Sequence, residues 1–523
     1  MPEMNRARIG IGFGAVLAFT AAAVAAIVLL ASGKAGEVDL TTAGYVPADA
    51  GVYVAVNTDL SSPSWVSAFD LARRLGKDDP EGALRDAGES EDLNWEADVV
   101  PFLGGNAALY VKGFGQIFDV DGAPDMEGGV VVQCNDCARA IMVLRRESGD
   151  RFESRMHGDF RYLAGEGMFV SAADDHMFIA PAEGSLFEML DLAAGEGESL
   201  ASTEDFKRLR DELSPNFIGF VYVSAEKLAV RDVVEDDAVI RTAFAEAGVG
   251  DIMLRPMAMA FGAKKNGFEA QAAAVGDAGT SAPLLEPHES RFAAMVPADT
   301  TIFFHTSGIA AAWEAAIAEA GPEVDDAIRM TTEFDSLDQA LRAAGSAAGL
   351  ESIEDVIDLF AGETVFAAWF PEGPAEEPVV AFMADVDDPA AAIDVLVALA
   401  DAAGSESSGP FTIGETDVYA SSTGSGEIWF AAREDAVILG TPPAVEAVLT
   451  LQSESLADTG AYRDTLDGLS APAGTFLYLD LPALLGMVPG GQFVNGIGPA
   501  IVNMVMAPAD GLARLLAFVS VPE

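Results

Sequence analysis

The chain is written twice over much of its length. Residues 198–228 match residues 454–484 without a gap, at a constant offset of 454 − 198 = 256. Eleven of the 31 positions are identical, among them Glu198/Glu454, Ser199/Ser455, Leu200/Leu456, Leu213/Leu469, Phe220/Phe476 and Tyr222/Tyr478. Chance would supply about two or three, so a module has been duplicated. Each copy is then a control for the other. A residue present in one and missing from the other is a weak candidate for a role that both perform.

The correspondence extends outward from that block. Val46-Pro47-Ala48-Asp49 opens copy one before a strand-like run at 51–57, and Val296-Pro297-Ala298-Asp299 opens copy two before a run at 301–306. Proline suits a strand entry, where no ladder N–H is needed. Helical patterns follow at 65–75 and 310–320. The segments 98–105 and 355–362 each read as a helix end stopped by glycine (Gly104-Gly105 and Gly362), leading into strands at 107–111 and 364–370. Buried strands at 130–133 and 379–384 run into helices at 136–144 and 388–396, which share six of nine residues. Asp136 and Asp388 stand where an N-cap accepts orphan N–H groups, and Pro389 falls at the first helical position. Short strands follow at 160–163, 168–171 and 176–180, with partners at 418–420, 427–431 and 436–440. Two helices and a strand come next in each copy, the strands at 217–223 and 475–479. Copy one closes with a hairpin, 257–263 and 268–275, turned at Asn266-Gly267. Copy two is expected to keep only the first of these strands, near 515–521.

Strands that follow one another through short turns predict an α+β fold: an N-terminal transmembrane helix, then two tandem homologous modules of largely antiparallel sheet with helices packed on one face. A doubly wound parallel sheet is the alternative, but βαβ alternation is not sustained. The expected boundaries are a cytoplasmic tail at 1–8, a transmembrane anchor or signal segment at 9–31 and a linker at 32–45. Module one is 46–276, a Pro-rich polar linker is 277–290 and module two is 291–523.

Residues 9–31 carry no charge and only Thr20 as a polar side chain. As a helix they would reach about 34 Å, enough to cross a hydrocarbon core. Arg6 and Arg8 precede them and Glu37 and Asp39 follow. Positive residues remain in the cytoplasm, which places the N-terminus inside and the body outside as a single-pass membrane protein. The alternative is a secreted protein whose segment is cleaved near Ala31-Ser32-Gly33, although the apolar run exceeds the core of an ordinary signal peptide.

Eighty-three acidic residues against 29 basic give a formal net charge of −54. No lysine follows Lys265, and six arginines do. A nucleic-acid surface needs clustered cations to displace counterions from phosphate, which excludes nucleic acid as a partner. The acidity reads as solubility, with self-repulsion screened in a salty medium.

Cys134 and Cys137, in Cys134-Asn135-Asp136-Cys137, form the sharpest chemical signal. They sit at a strand end leading into a helix, where a thiol pKa falls. Copy two has Val386-Asp387-Asp388-Pro389 there, so the pair reads as a local disulfide or two passive thiols rather than a redox centre. His157, His176, His288 and His305 show no metal-ligand spacing; His176 and His305 lie in strands and read as structural. Ser224-Ala225-Glu226-Lys227 fits an S-x-x-K motif, but its K-T-G partner is missing and copy two has Asp480-Leu481-Pro482-Ala483. Asp119, Asp121, Asp125 and Glu127 crowd a loop without the glycine position of a calcium-binding hand. No catalytic, cofactor-binding or metal residue is therefore assigned.

The V-P-A-D opening, the D-V-[VI]-x-[FL]-[LF]-[GA]-G segment and the single N-terminal anchor resemble a bacterial family of membrane-anchored proteins characterised only as a domain of unknown function. The resemblance covers nearly the whole exported body through both copies. It departs at Asp358, where copy one has Pro101, and in the expected C-terminal shortening. It implies an exported, envelope-associated protein and supplies no catalytic residues. The expectation is a tethered, non-enzymatic binding or scaffold protein, contacting the membrane through its N-terminal helix and an envelope protein or ligand through its body. The alternatives are an envelope hydrolase with an unrecognised site, or a carrier of an apolar ligand, for which 30 Phe and 17 Met give the composition.

Overall fold

The computed structural model describes residues 40–83, 103–112, 127–148, 152–165, 167–228, 255–275, 290–310, 329, 339, 342–343, 346, 361–371, 377–402, 405–423, 426–451, 453–469, 475–487, 497–507 and 512–521. These fall into two compact units that divide between Gly276 and Asp277. The segment 9–31, the helical pattern at 311–320 and the linker at 277–289 lie outside the described residues. Among the described residues no helix is long and apolar enough to cross a membrane.

The first unit contains β1 (Val52–Asn57), helix α1 (Pro63–Arg74), β2 (Leu103–Val111), β3 (Gly128–Cys134) and helix α2 (Cys137–Ser148). Next come β4 (Glu153–His157), β5 (Phe160–Gly165), β6 (Met168–Ala173) and β7 (His176–Ala180). Helices α3 (Glu183–Ala193) and α4 (Glu204–Glu212) lead to β8 (Gly219–Val223), β9 (Met257–Lys264) and β10 (Gly267–Val275). All pairings are antiparallel, in the order β4-β5-β6-β7-β3-β2-β1-β8-β9-β10.

The second unit contains β11 (Ile302–Ser307), β12 (Glu363–Trp369), β13 (Val379–Asp385), helix α5 (Pro389–Ala402), β14 (Glu406–Ile413), β15 (Thr416–Thr423), β16 (Gly426–Arg433) and β17 (Ala436–Gly440). Helices α6 (Pro442–Thr450) and α7 (Gly460–Asp467) precede β18 (Thr475–Leu479), which is followed by α8 (Leu481–Met487), β19 (Ala500–Ala507) and β20 (Leu512–Ser520). Its antiparallel order is β14-β15-β16-β17-β13-β12-β11-β18-β19-β20, the same path as the first unit. Both hairpin strands are therefore present at the C-terminal end, and the expected loss of one is corrected. Ala500–Ala507 supplies the first and Leu512–Ser520 the second.

Local chemistry explains the element ends. Asp136 Oδ1 accepts from Arg139 N at 3.0 Å, and Asp388 Oδ1 from Ala390 N and Ala391 N at 3.1 Å, as N-caps should. Helix α1 starts with Pro63 after Ser62 and buries Trp65, Ala68, Phe69 and Leu71. It stops at Gly76, whose φ of 83° lets Gly76 N reach Arg73 O and Lys77 N reach Ala72 O, both at 3.0 Å.

Each sheet packs one face on an aromatic core. Phe206 meets Tyr53 edge-on at 5.6 Å and Tyr222 at 5.4 Å; the matching Tyr462 meets Phe303 at 6.2 Å and Tyr478 at 5.3 Å. In the second unit Ala436 and Ile438 join that core beneath α6, whereas Val437 packs with Phe382, Phe430 and the α5 residues Ala392 and Ile393. Alternate strand residues point to opposite faces, so α5 covers the side opposite α6. This corrects the expectation of helices on one face only.

Three smaller corrections follow. Gly104 and Gly105 lie inside β2 rather than at a helix stop; a Cβ on Gly104 would come within 2.9 Å of the Gln133 backbone. The β9–β10 turn is Lys265-Asn266, with Gly267 already paired to Lys264. Residues 41–45, assigned to a linker, form a 3-10 turn in which Ala43 is fully buried and Thr42 Oγ1 lies 2.8 Å from Tyr53 Oη.

Candidate binding face

The face opposite the aromatic core is also apolar. Across six strands of the first unit, Val130, Leu109, Val54, Val221, Met259 and Ala272 stand in one cross-strand row. The row beside it is Val132, Ala107, Val56, Gly219, Phe261 and Ala270, and the row on the other side is Gly128, Val111, Val52, Val223, Met257 and Ala274. No polar side chain interrupts them. Leu228 packs with Val52, Val54 and Val111 and closes one end of the strip.

The second unit repeats the arrangement. Its central row is Phe382, Phe366, Phe304, Leu477, Val502 and Ala517, flanked by Val380, Ala368, Ile302, Leu479, Ala500 and Val519. Thr364, Thr306 and Thr475 border the other side, with Thr306 Oγ1 and Thr475 Oγ1 2.8 Å apart. Helix α5 covers the Phe382 end of the central row. Beyond it large apolar groups reach solvent: Phe304 is 36 % exposed, Phe366 37 % and Leu515 37 %, and Phe261 in the first unit is 41 % exposed. An antiparallel sheet whose second face met only water would alternate apolar with polar residues. Contiguous exposed apolar surface marks an interaction site more often than a scattered residue does. The sequence signal lay in strands such as Val52–Asn57, apolar at both parities.

The residues singled out for chemistry are spent on structure. Cys134 and Cys137 are joined as a disulfide, with Cα atoms 5.2 Å apart, and both are buried. Cys134 N donates to Asp175 O at 2.7 Å; Val386 N makes the matching bond to Asp435 O at 2.9 Å without any cysteine. His157 stacks on Phe187 at 3.9 Å and pairs with Asp191 at 2.7 Å. His176 is buried against Tyr45, with ring centroids 4.4 Å apart. Asp175 Oδ1 lies 2.7 Å from its Nδ1 but off the line a hydrogen bond needs. Burial holds the His176 pKa below its ordinary value, against an opposite pull from Asp175.

His305 is fully buried, 3.3 Å from Glu363, which also accepts from the Ser290 hydroxyl and from Arg291 N. Serine bonds the carboxylate here, an order unlike a nucleophile–base–orienter relay. Register places Ala55 and Asn106 of the first unit at the positions of His305 and Glu363, so the pair belongs to one unit alone. Lys227 Nζ donates to Ala48 O at 2.5 Å, while Ser224 N donates to Gly51 O at 2.8 Å. The S-x-x-K residues thus brace the module opening. His288, Asp119, Asp121 and Asp125 lie outside the described residues, and Glu127 is exposed. Among the described residues no set of three His, Cys, Asp or Glu side chains converges as metal ligands would.

A shallow cleft of about 400 Å³ in the first unit is lined by Leu40, Arg210, Asp211, Leu213, Ser214, Pro215, Phe217 and Phe220. Arg210 is held by its neighbour Asp211 at 2.6 Å, and Ser214 Oγ accepts from Asn216 N. That leaves no nucleophile paired with a base.

The family model described as a protein of unknown function (DUF3352) matches residues 155–488, more than half of the chain. No curated protein matches the sequence. Among solved structures, crystal form I of TP0453 is 11 % identical with a TM-score of 0.25, covering 44 % of this chain and 77 % of that one. Crystal form III is 13 % identical with a TM-score of 0.24, covering 44 % and 78 %. Likenesses this loose carry nothing about what the chain does.

Proposed function

The chain belongs to the family of proteins of unknown function DUF3352, and from that footing we propose that it is a non-enzymatic binding protein of the bacterial cell envelope. In this reading the apolar segment 9–31 tethers it, the N-terminus stays inside, and the body works outside the cytoplasm. The observation that favours the binding role is the apolar sheet face at matching register in both units, largely buried in the first unit but with Phe261 exposed there and Phe304 and Phe366 exposed in the second. The candidates for chemistry fail that comparison: the disulfide occurs in one unit and the His305–Glu363 pair in the other.

Two measurements test the proposal. Protease added to intact spheroplasts should digest the body and leave a fragment carrying 9–31; a body protected until lysis would overturn the placement. A chain with Phe261→Ser and Phe304→Ser should fail to rescue a deletion strain, whereas one with His157→Gln and Lys227→Gln should rescue it. The reverse pattern would point to chemistry at the polar residues.

A further inference from the structure

We infer that the Cys134–Cys137 bond is a one-time modification: a thiol oxidase installs it while β3 and α2 are still apart, and it is closed to exchange once they pack. The inference rests on the exported placement proposed above, because such a bond persists outside the cytoplasm, where thiols are not kept reduced.

Spacing alone would suit a cycling redox pair, since two cysteines around a helix N-terminus have a lowered thiol pKa. Burial decides against cycling. Exchange needs a thiolate to reach one sulfur of the bond. Cys134 is 3 % exposed and Cys137 7 %. Cys134 ends β3, opposite Leu103 of β2, with its N–H on Asp175 O at 2.7 Å. Cys137 begins α2. Asn135 and Asp136 between them are exposed, so a reagent meets the turn and not the sulfurs. Asp136 and the exposed Asp175 also repel a small anionic thiol.

The second unit supplies a comparison. Val386-Asp387-Asp388-Pro389 makes the same turn, with Val386 N on Asp435 O at 2.9 Å. There Pro389 stiffens the first helical position with a ring that never opens. The disulfide stands where that permanent restraint stands.

The sequence holds two cysteines and no third, so the oxidising equivalent comes from another molecule. One cysteine thiolate attacks the oxidase disulfide, forming a mixed disulfide and expelling the oxidase's other sulfur as a thiolate. The second cysteine thiolate attacks the chain's sulfur in that mixed disulfide, forming the 134–137 bond and expelling the remaining oxidase sulfur. The chain gives up a pair of electrons, the oxidase disulfide takes them, and the protons shed by the cysteines end on the oxidase thiolates. Both chain sulfurs must be within reach, which the packed turn forbids, so these steps precede the docking of α2.

The test uses the full chain in its own cells. Acid-quenched cells are denatured and treated with a maleimide, and the purified chain is weighed with and without prior reduction. Both cysteines should escape the label until reduced, and each should then gain one maleimide mass. Dithiothreitol should leave the bond intact in the purified, folded chain over a time that reduces it fully in concentrated urea. In the Cys137→Ala chain, Cys134 should be recovered joined to a second protein through a reducible bond. Free thiols in a native body that protease digests on intact spheroplasts would overturn the modification and leave the placement standing; free thiols in a protected body would overturn both. Equal rates of reduction with and without urea would make the bond a working redox pair and overturn its closure. A Cys134 in the Cys137→Ala chain that is free, or joined only to a small thiol, would overturn the oxidase as donor.

Discussion

Leu200 donates its backbone N–H to the carbonyl of Val46 at 2.7 Å, and Leu456 does the same to Val296 at 3.0 Å. A second bond, Ala48 N to Glu198 O or Ala298 N to Glu454 O, completes each clasp at 3.0 and 3.2 Å. The two most repeated sequence motifs, V-P-A-D and E-S-L-A, therefore recur together because they hold each other. Both leucines are fully buried. Leu200→Ala and Leu456→Ala should each cost about 2–5 kcal/mol, read as a lower denaturant midpoint for the affected unit. A loss under about 1 kcal/mol in either would mean the clasp is incidental.

The disulfide and Pro389 occupy equivalent turns. Cys137 and Pro389 each begin a helix after an aspartate cap. Closing so short a loop constrains the unfolded chain by roughly 2 kcal/mol. Reduction should lower the melting temperature of the native chain, and the Cys134→Val, Cys137→Pro chain should melt at the same temperature with or without dithiothreitol. Insensitivity of the native chain to reduction would remove the pair from the stability account.

Glu363 and His305 form a buried pair whose counterparts are Asn106 and Ala55. His305→Ala alone leaves a buried carboxylate short of one partner and should cost about 3 kcal/mol. Adding Glu363→Asn, which restores the first unit's residues, should recover most of the loss. Chemical denaturation of the single and double variants measures the difference, and additive losses would show that the pair is not coupled.

His176 sets a pH dependence. Its folded pKa lies below the unfolded value of 6.5 because burial disfavours the cation. The unfolded chain thus binds a proton first. The contribution is fully present above pH 6.5 and declines as pH falls from 6.5 toward the depressed folded value. His176→Phe should flatten that part of the stability curve, and an unchanged slope would assign the effect elsewhere.

Most strands were legible because apolar runs bounded by turns survive without tertiary help; His176–Ala180 and Ala436–Gly440 match the expected bounds. The caps Asp136 and Asp388 were legible because their bonds are local. Two strands escaped notice, Glu153–His157 and Glu406–Ile413, whose polar residues carry no burial signal. The apolar second face of the sheet was not legible either. Apolar residues at both parities read as burial, and only the register between strands shows that Phe304 and Phe366 stand side by side in solvent.

Those two overlooked strands have a consequence of their own. Each lies at the outer end of its unit's strand order, where unpaired backbone would invite another chain to polymerise. Glu153 and Arg155 put opposite charges along one border, and Pro410 withholds a donor along the other. Guarded in this way, neither of these two borders is a template for lateral growth.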